Sequence, residues 1–131
     1  MEPSFIRSVV DRIIEVPDAA SIAAIHTLEQ LLDRECGGST GTNLYAACQL
    51  MSEMVTAGKT GSIVTVICDG GERYLDTYYI PDWIATEQLD VETCRNCLDA
   101  FLNTGELTPA TEPTNPAGSE TGSLPFVSRS K

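Results

Sequence analysis

The chain has 131 residues and a formal net charge of −11 at pH 7. This length is typical of one domain. The charge argues against a nucleic-acid or anionic-membrane partner, because both require Lys and Arg to neutralise phosphates. No apolar run approaches the roughly 18 residues of a membrane-spanning helix, and the N-terminus lacks the regions of a signal peptide. We therefore expect a cytoplasmic protein.

Five cysteines are scattered through the chain. An odd number without a secretion signal indicates reduced thiols rather than a disulfide framework. Cys48 and Cys68 are expected to be buried as small hydrophobic residues. Cys94 and Cys97 have CxxC spacing, but one such pair without a second is a poor zinc site. Their helical spacing on an apolar stripe favours core packing, with zinc or redox function as the alternative.

The first half of the chain predicts one strand and two helices. Residues 11–16, DRIIEV, have the composition of a short strand. Apolar side chains then recur at helical spacing through residues 22–32, and Asp18 is the expected N-cap of that helix. A second amphipathic pattern covers residues 44–55, and Gly58 is expected to end it.

Residues 36–43, CGGSTGTN, form a small, hydroxyl-rich elbow between the two helices. Gly37 is predicted to be the left-handed C-terminus of the first helix, and Ser39 or Thr40 could cap the second. A helix N-terminus also presents free N–H groups and a positive dipole end, so Ser39 could instead donate its hydroxyl to a ligand. From spacing alone, capping is the commoner use of such an elbow.

Residues 62–68, SIVTVIC, are β-branched and almost continuously apolar, which is typical of a strand covered on both faces. A last amphipathic helix is predicted over residues 86–103. The order strand-helix-helix-strand-helix indicates an α/β fold. Two strands leave the edges and faces of a sheet uncovered. We therefore expect a domain that is marginally stable or that pairs with additional strands from outside this chain.

The composition changes at Gly105. Residues 105–131 contain four of the seven prolines, with Gly, Ser, Thr and Glu making up most of the rest. Such a segment buries too little apolar surface to offset its chain entropy, and it is predicted to be disordered. The chain therefore divides into a structured portion, 1–104, and a tail, 105–131.

Two isolated residues could take part in chemistry, and each has a plainer interpretation. His26 has no nucleophile paired with it, which favours a solvated or hydrogen-bonded side chain over a catalytic base. Asp69 follows the apolar strand directly and could lie near the elbow or cap the short helix that follows. A group of aromatic residues is explained by packing, since no basic patch accompanies it: Tyr74, Tyr78, Tyr79 and Trp83.

The elbow and residues 68–79, CDGGERYLDTYY, together resemble the C-terminal part of the cysteine synthase / cystathionine β-synthase family. In that family GERYL follows an apolar strand, and the GGSxG elbow carries a serine that hydrogen-bonds the pyridine nitrogen of pyridoxal 5′-phosphate (PLP). Residues 2–16, EPSFIRSVVDRIIEV, also resemble the family's strand entering this region. The resemblance covers roughly residues 2–85 and includes actinobacterial-type homologues, some of them cysteine desulfhydrases.

The resemblance implies a partial three-layer domain of PLP fold type II. It places the pyridine-nitrogen serine at Ser39, with Gly37 and Gly38 letting the backbone approach the cofactor ring. A neutral hydroxyl leaves that nitrogen unprotonated and makes the ring a milder electron sink. This favours β-elimination and β-replacement on serine- or cysteine-type amino acids.

The chain also departs from the family. The lysine that carries PLP and the phosphate-binding loop lie N-terminal to the part that this chain resembles, and Lys59 and Lys131 match neither motif. The resemblance therefore implies a truncated enzyme, inactive alone, with no catalytic residue or metal ligand of its own. Its expected partner is an N-terminal fragment or another copy of itself. The alternative is a non-catalytic binding module or a partner subunit of a split PLP enzyme.

Overall fold

The part of the chain that the structure describes is mainly helical, with two short strands. A computed structural model describes residues 6–108 and 125–128. Among these residues no helix is long and apolar enough to cross a membrane. The elements in chain order are a 3-10 turn (Arg7–Val9), β1 (Arg12–Glu15), α1 (Asp18–Leu32), α2 (Gly38–Thr56), a second 3-10 turn (Gly71–Tyr74), α3 (Pro81–Thr86), α4 (Val91–Thr104) and β2 (Pro125–Ser128).

Helices α1 and α2 pack closely because their facing surfaces are small. α1 buries four alanines, at positions 19, 20, 23 and 24, together with Ser21. Gly41 of α2 lies directly against the Ser21 carbonyl, where a Cβ would collide with the oxygen and with Ile25. A buried hydrogen bond of 2.7 Å joins the hydroxyls of Ser21 and Thr42. Glycine at position 41 is therefore required by the close approach of the two helices.

Helix α4 completes the core against α1. Its buried residues lie at helical spacing and are Val91, Cys94, Leu98 and Phe101. Asp90 caps the helix by accepting a hydrogen bond from the Thr93 N–H. The helix predicted over 86–103 therefore begins later, because residues 81–86 form the separate helix α3 and Gln88 has a φ of 56° between them.

Three cysteines lie in or against this core. Cys94 belongs to it and Cys97 packs against it, as the apolar stripe predicts. Cys48 is also buried, and its burial raises the pKa of the thiol to about 11. In residues 6–108 and 125–128, no three His, Cys, Asp or Glu side chains are grouped as a metal site.

Of the two glycines predicted to end α1 and α2, only the one after α2 does so. Gly58 ends α2 as expected: its φ is 64°, and Lys59 N–H bonds the Met54 carbonyl at 2.9 Å, which is the Schellman arrangement. The prediction for Gly37 is wrong, because Asp33 is the left-handed C-terminus of α1. Gly37 has extended backbone and is the N-cap of α2.

β1 forms where it was predicted and pairs antiparallel with β2, with Arg12 opposite Ser128. β2 lies inside the segment predicted to be disordered, 105–131, and Leu107 from the same segment is buried in the core. The rest of that segment, 109–124 and 129–131, lies outside the described residues.

The strand predicted over 62–68 is not formed. The segment has no regular secondary structure and belongs to no sheet, and Val64 is 88% exposed. The expectation that Cys68 is buried is also wrong, because this thiol is exposed. A strand needs a neighbouring ladder, and β1 pairs with β2 instead. The predicted order strand-helix-helix-strand-helix is therefore not observed in the part of the chain that the structure describes.

We expect the substitution Gly41→Ala to destabilise the protein by about 1–3 kcal/mol, because the new methyl group meets a backbone carbonyl that cannot move alone. Gly61→Ala is the matched control, since its Cβ would meet only the flexible end of Met54. Urea denaturation followed by circular dichroism measures both. Equal midpoints for the two variants would contradict the close approach of α1 and α2.

Candidate functional site

The two motifs that were singled out in the sequence contact each other. The segment before α2 pairs with the segment after the predicted strand through an antiparallel bridge between Cys36 and Gly70. The Gly37 N–H bonds the Asp69 carbonyl at 3.2 Å, and the Gly71 N–H bonds the Glu35 carbonyl at 3.2 Å. The elbow is therefore held from outside, by backbone that lies more than thirty residues away.

Tyr79 provides a second restraint on the elbow. Its hydroxyl accepts a hydrogen bond from the Cys36 N–H at 2.9 Å and donates one to the Cys36 carbonyl at 2.8 Å. Burial raises the pKa of Tyr79, so the phenol stays protonated and can make both bonds. Sequence analysis assigned this side chain to aromatic packing, and no feature of the pattern indicates that its hydroxyl reaches Cys36.

His26 supports the same region. Its Nε2 lies 2.7 Å from the carbonyl oxygen of Tyr78, and its ring lies 5.5 Å from that of Tyr79. The histidine is half-buried and hydrogen-bonded, as the plainer interpretation of the sequence predicted.

The elbow glycines make room for side chains of the second motif. A Cβ on Gly37 would collide with the carboxylate of Asp69, and one on Gly38 would lie 2.9 Å from the ring of Tyr78. Asp69 thus lies at the positive end of α2, where a carboxylate is stabilised. The other interpretation, that Asp69 caps the following short helix, is wrong: that 3-10 turn has Gly70 as its N-cap and no side-chain capping bond.

Three hydroxyl or amide side chains around the elbow are already engaged. The Thr40 hydroxyl accepts a hydrogen bond from the Cys68 N–H at 3.0 Å. The Asn43 amide donates to the Val66 carbonyl at 3.3 Å, and Thr42 bonds into α1. These side chains therefore position the two neighbouring segments.

Ser39 is different from its neighbours. It is the second residue of α2 and is half-buried, and no group in residues 6–108 bonds its hydroxyl. The N–H groups of Gly38 and Ser39 lie in the first turn, where a helix offers no acceptor of its own. A free hydroxyl beside free N–H groups suits a ligand atom that accepts hydrogen bonds, such as an aromatic ring nitrogen or an anion.

The described residues do not bring a lysine to this site. Lys59 follows the C-terminus of α2, whereas Ser39 lies at its N-terminus. The helix between Ser39 and Thr56 spans about 26 Å along its axis, and Lys59 lies beyond that end. The residues present therefore fit the ring-nitrogen side of a PLP site and do not supply a covalent attachment for the cofactor.

Comparison with known proteins finds relatives named as a cysteine desulfhydrase and as synthases. No family model matches the chain. The chain is 51% identical over 90 residues to an L-cysteine desulfhydrase of Mycobacterium tuberculosis. The matched region makes up 69% of this chain and 24% of that protein. It is 35% identical over 94 residues to a putative cysteine synthase of Sinorhizobium fredii, with 71% and 27% covered. It is 34% identical over 82 residues to an N-(2-amino-2-carboxyethyl)-L-glutamate synthase of Cupriavidus metallidurans, with 60% and 23% covered.

These relatives confirm the sequence resemblance to cysteine synthase-type enzymes. The chain belongs to the cysteine synthase and cysteine desulfhydrase family. It spans about a quarter of the length of the first two relatives.

We expect Tyr79→Phe to destabilise the protein by about 1–3 kcal/mol, because it leaves the N–H and carbonyl of the buried Cys36 without their partner. Tyr74→Phe is the matched control, since no hydrogen bond of its hydroxyl is present in the described part of the chain. Urea denaturation gives the stability, and amide exchange at Cys36 locates the change. Unchanged exchange at Cys36 in Tyr79→Phe would contradict the double hydrogen bond.

Proposed function

We propose that the chain forms the ring-nitrogen side of a PLP site. The enzyme would catalyse β-elimination or β-replacement on serine- or cysteine-type amino acids. The observation that carries this proposal is the Ser39 hydroxyl, which lies in the first turn of α2 without a protein partner among residues 6–108. The family relationship supports it, since the relatives include an L-cysteine desulfhydrase and a putative cysteine synthase.

Bound PLP would supply an electron sink for negative charge at the α-carbon of the amino acid. Ser39 would donate a hydrogen bond from its hydroxyl to the ring nitrogen and leave that nitrogen uncharged. A cofactor ring with an uncharged nitrogen is a moderate electron sink, and this suits reactions in which a β-substituent is lost or exchanged.

The covalent attachment of PLP would come from outside the described residues. Lys59 lies at the far end of α2, and the chain spans about a quarter of its relatives. The catalytic unit would therefore combine this chain with a lysine-bearing portion of the enzyme, and the chain would be inactive alone. The unpaired segment 62–68 favours one form of this proposal, in which the chain is a partner subunit of a split enzyme.

Reduction with borohydride tests the absence of an attachment site. When the purified chain is incubated with PLP and reduced, we expect no lysine to be labelled stoichiometrically, because Lys59 is an exposed turn residue far from Ser39. Peptide mass spectrometry measures the labelling. Stoichiometric modification of Lys59 or Lys131 would overturn the proposed dependence on a second portion.

The role of Ser39 can be tested in a chimera, in which this chain's matched residues replace the corresponding region of the M. tuberculosis desulfhydrase. We expect Ser39→Ala to lower the rate of sulfide release about tenfold and to change the absorption of bound PLP, because one hydrogen bond to the ring is lost. Ser39→Thr retains the hydroxyl and should recover most of the rate. Ser62→Ala, at an exposed serine, is the control. Equal rates and spectra for Ser39→Ala and Ser62→Ala would overturn the assignment.

A further inference from the structure

Tyr78 bears directly on the first turn of α2. Its Cε2 atom lies 2.9 Å, and its Cζ atom 3.8 Å, from the point that a Cβ on Gly38 would occupy. Only glycine allows a ring to come this close to the backbone. Gly38 is the first residue of α2 and Ser39 follows it. The edge of an aromatic ring therefore rests against the backbone that carries the Ser39 hydroxyl.

Tyr78 is itself held on several sides, so it can act as a support. Its ring stacks on that of Tyr74, with the centroids 4.8 Å apart and the planes 7° from parallel. Trp83 of α3 lies 5.5 Å away at a tilt of 59°. His26 of α1 donates a hydrogen bond of 2.7 Å from Nε2 to the Tyr78 carbonyl. A side chain that is locked in this way by packing and hydrogen bonding can position its neighbours.

This support acts at a different place from the restraint provided by Tyr79. The Tyr79 hydroxyl makes two hydrogen bonds to Cys36, which precedes the helix. The Tyr78 ring acts on Gly38, inside the helix, and no side chain caps the N-terminus of α2. The restraint at Cys36 thus fixes where α2 begins, whereas the ring limits how the first turn can tilt.

The ring of Tyr78, rather than its hydroxyl, makes these contacts. No group in residues 6–108 and 125–128 bonds the hydroxyl. Burial raises the pKa of Tyr78, so the phenol is uncharged at neutral pH. Phenylalanine at this position would therefore keep the ring contacts and the backbone hydrogen bond, and would remove only a hydroxyl without a partner in the described residues.

We propose that Tyr78 is a positioning residue of the candidate site, because its ring sets the orientation of the first turn of α2 and therefore the direction of the Ser39 hydroxyl. This inference deepens the proposed function and rests on it, since Ser39 is there assigned the contact to the ring nitrogen of PLP. Tyr78 acts through Ser39 and is assigned no contact of its own with cofactor or substrate. Direction matters because a hydrogen bond weakens steeply as its angle departs from linear.

The plainer role for Tyr78 is to fill space, since it packs against the hydrophobic core together with Trp83. A residue that only fills the core changes the stability of the protein and leaves the chemistry of the folded site unchanged. A positioning residue also changes the absorption of bound PLP, and it lowers kcat more than it changes KM. These two readouts therefore distinguish the roles.

The first test uses the chimera with the M. tuberculosis desulfhydrase described above. We expect Tyr78→Leu to lower kcat for sulfide release at least about tenfold and to change the absorption of bound PLP, because the Ser39 hydroxyl is misdirected. Tyr78→Phe keeps the ring and should recover most of the rate and the absorption. Met51→Ala is the control for packing, since Met51 packs against the same core about 20 Å along α2 from its first turn. Tyr78→Met, with a longer side chain, replaces Tyr78→Leu if the latter does not fold.

The second test measures the contact itself in the full 131-residue chain, without PLP. Gly38→Ala places a methyl group 2.9 Å from Cε2 of Tyr78, so the ring and the first turn must separate. We expect this change to lower the urea midpoint when Tyr78 is present. It should lower the midpoint much less in the Tyr78→Leu background, because residues in contact are energetically coupled. Equal effects in the two backgrounds would show that the ring does not bear on the turn.

The outcomes separate this inference from the proposed function. If Tyr78→Leu matches Met51→Ala in kcat and in PLP absorption, Tyr78 only fills the core and the inference is overturned. If Tyr78→Phe is as impaired as Tyr78→Leu, the hydroxyl is required instead of the ring, and the inference is again wrong. If Tyr78→Leu behaves as expected while Ser39→Ala changes neither the rate nor the absorption, the positioning of the first turn stands and the proposed contact of Ser39 falls.

Discussion

The candidate site depends on one restraint, the attachment of the segment before α2 to the backbone around Gly70. Two backbone hydrogen bonds and the doubly bonded Tyr79 hydroxyl hold Cys36 and Gly37 in place. Because Gly37 is the N-cap of α2, this restraint fixes where the helix begins and therefore where Ser39 lies. No side chain caps the helix, so its start is determined by tertiary contacts rather than by local sequence.

Sequence patterns predicted α1, α2 and most of α4, because each has buried residues that this chain itself covers. The end of α2 at Gly58 and the packing of Cys94 follow from local chemistry, and both are observed. The elbow was harder to interpret. Gly37 was expected to end α1, but Asp33 ends the helix four residues earlier. Aspartate is one of the few residues other than glycine that adopt the left-handed conformation readily. The glycines of the elbow allow Asp69 and Tyr78 to approach closely, and no local sequence pattern indicates these contacts.

The strand predicted over 62–68 failed for a different reason. Its composition is that of a buried strand, but burial of a strand depends on neighbours that are often distant in sequence. Within the described residues β1 pairs with β2, and nothing is left to pair with residues 62–68. Spacing alone favoured Ser39 or Thr40 as the cap of α2, but the N-cap is Gly37. The structure gives Ser39 no capping bond, and its cofactor role remains a proposal.

The pairing of β1 with β2 has a consequence for the order of folding. Arg12 and Ser128 are joined across a loop of more than one hundred residues, whereas α1, α2 and the elbow are joined by much shorter loops. Closing a long loop costs more chain entropy, and two short strands return little for it. We therefore expect the helical core to form first, with the terminal strand added last and released first when the protein opens locally.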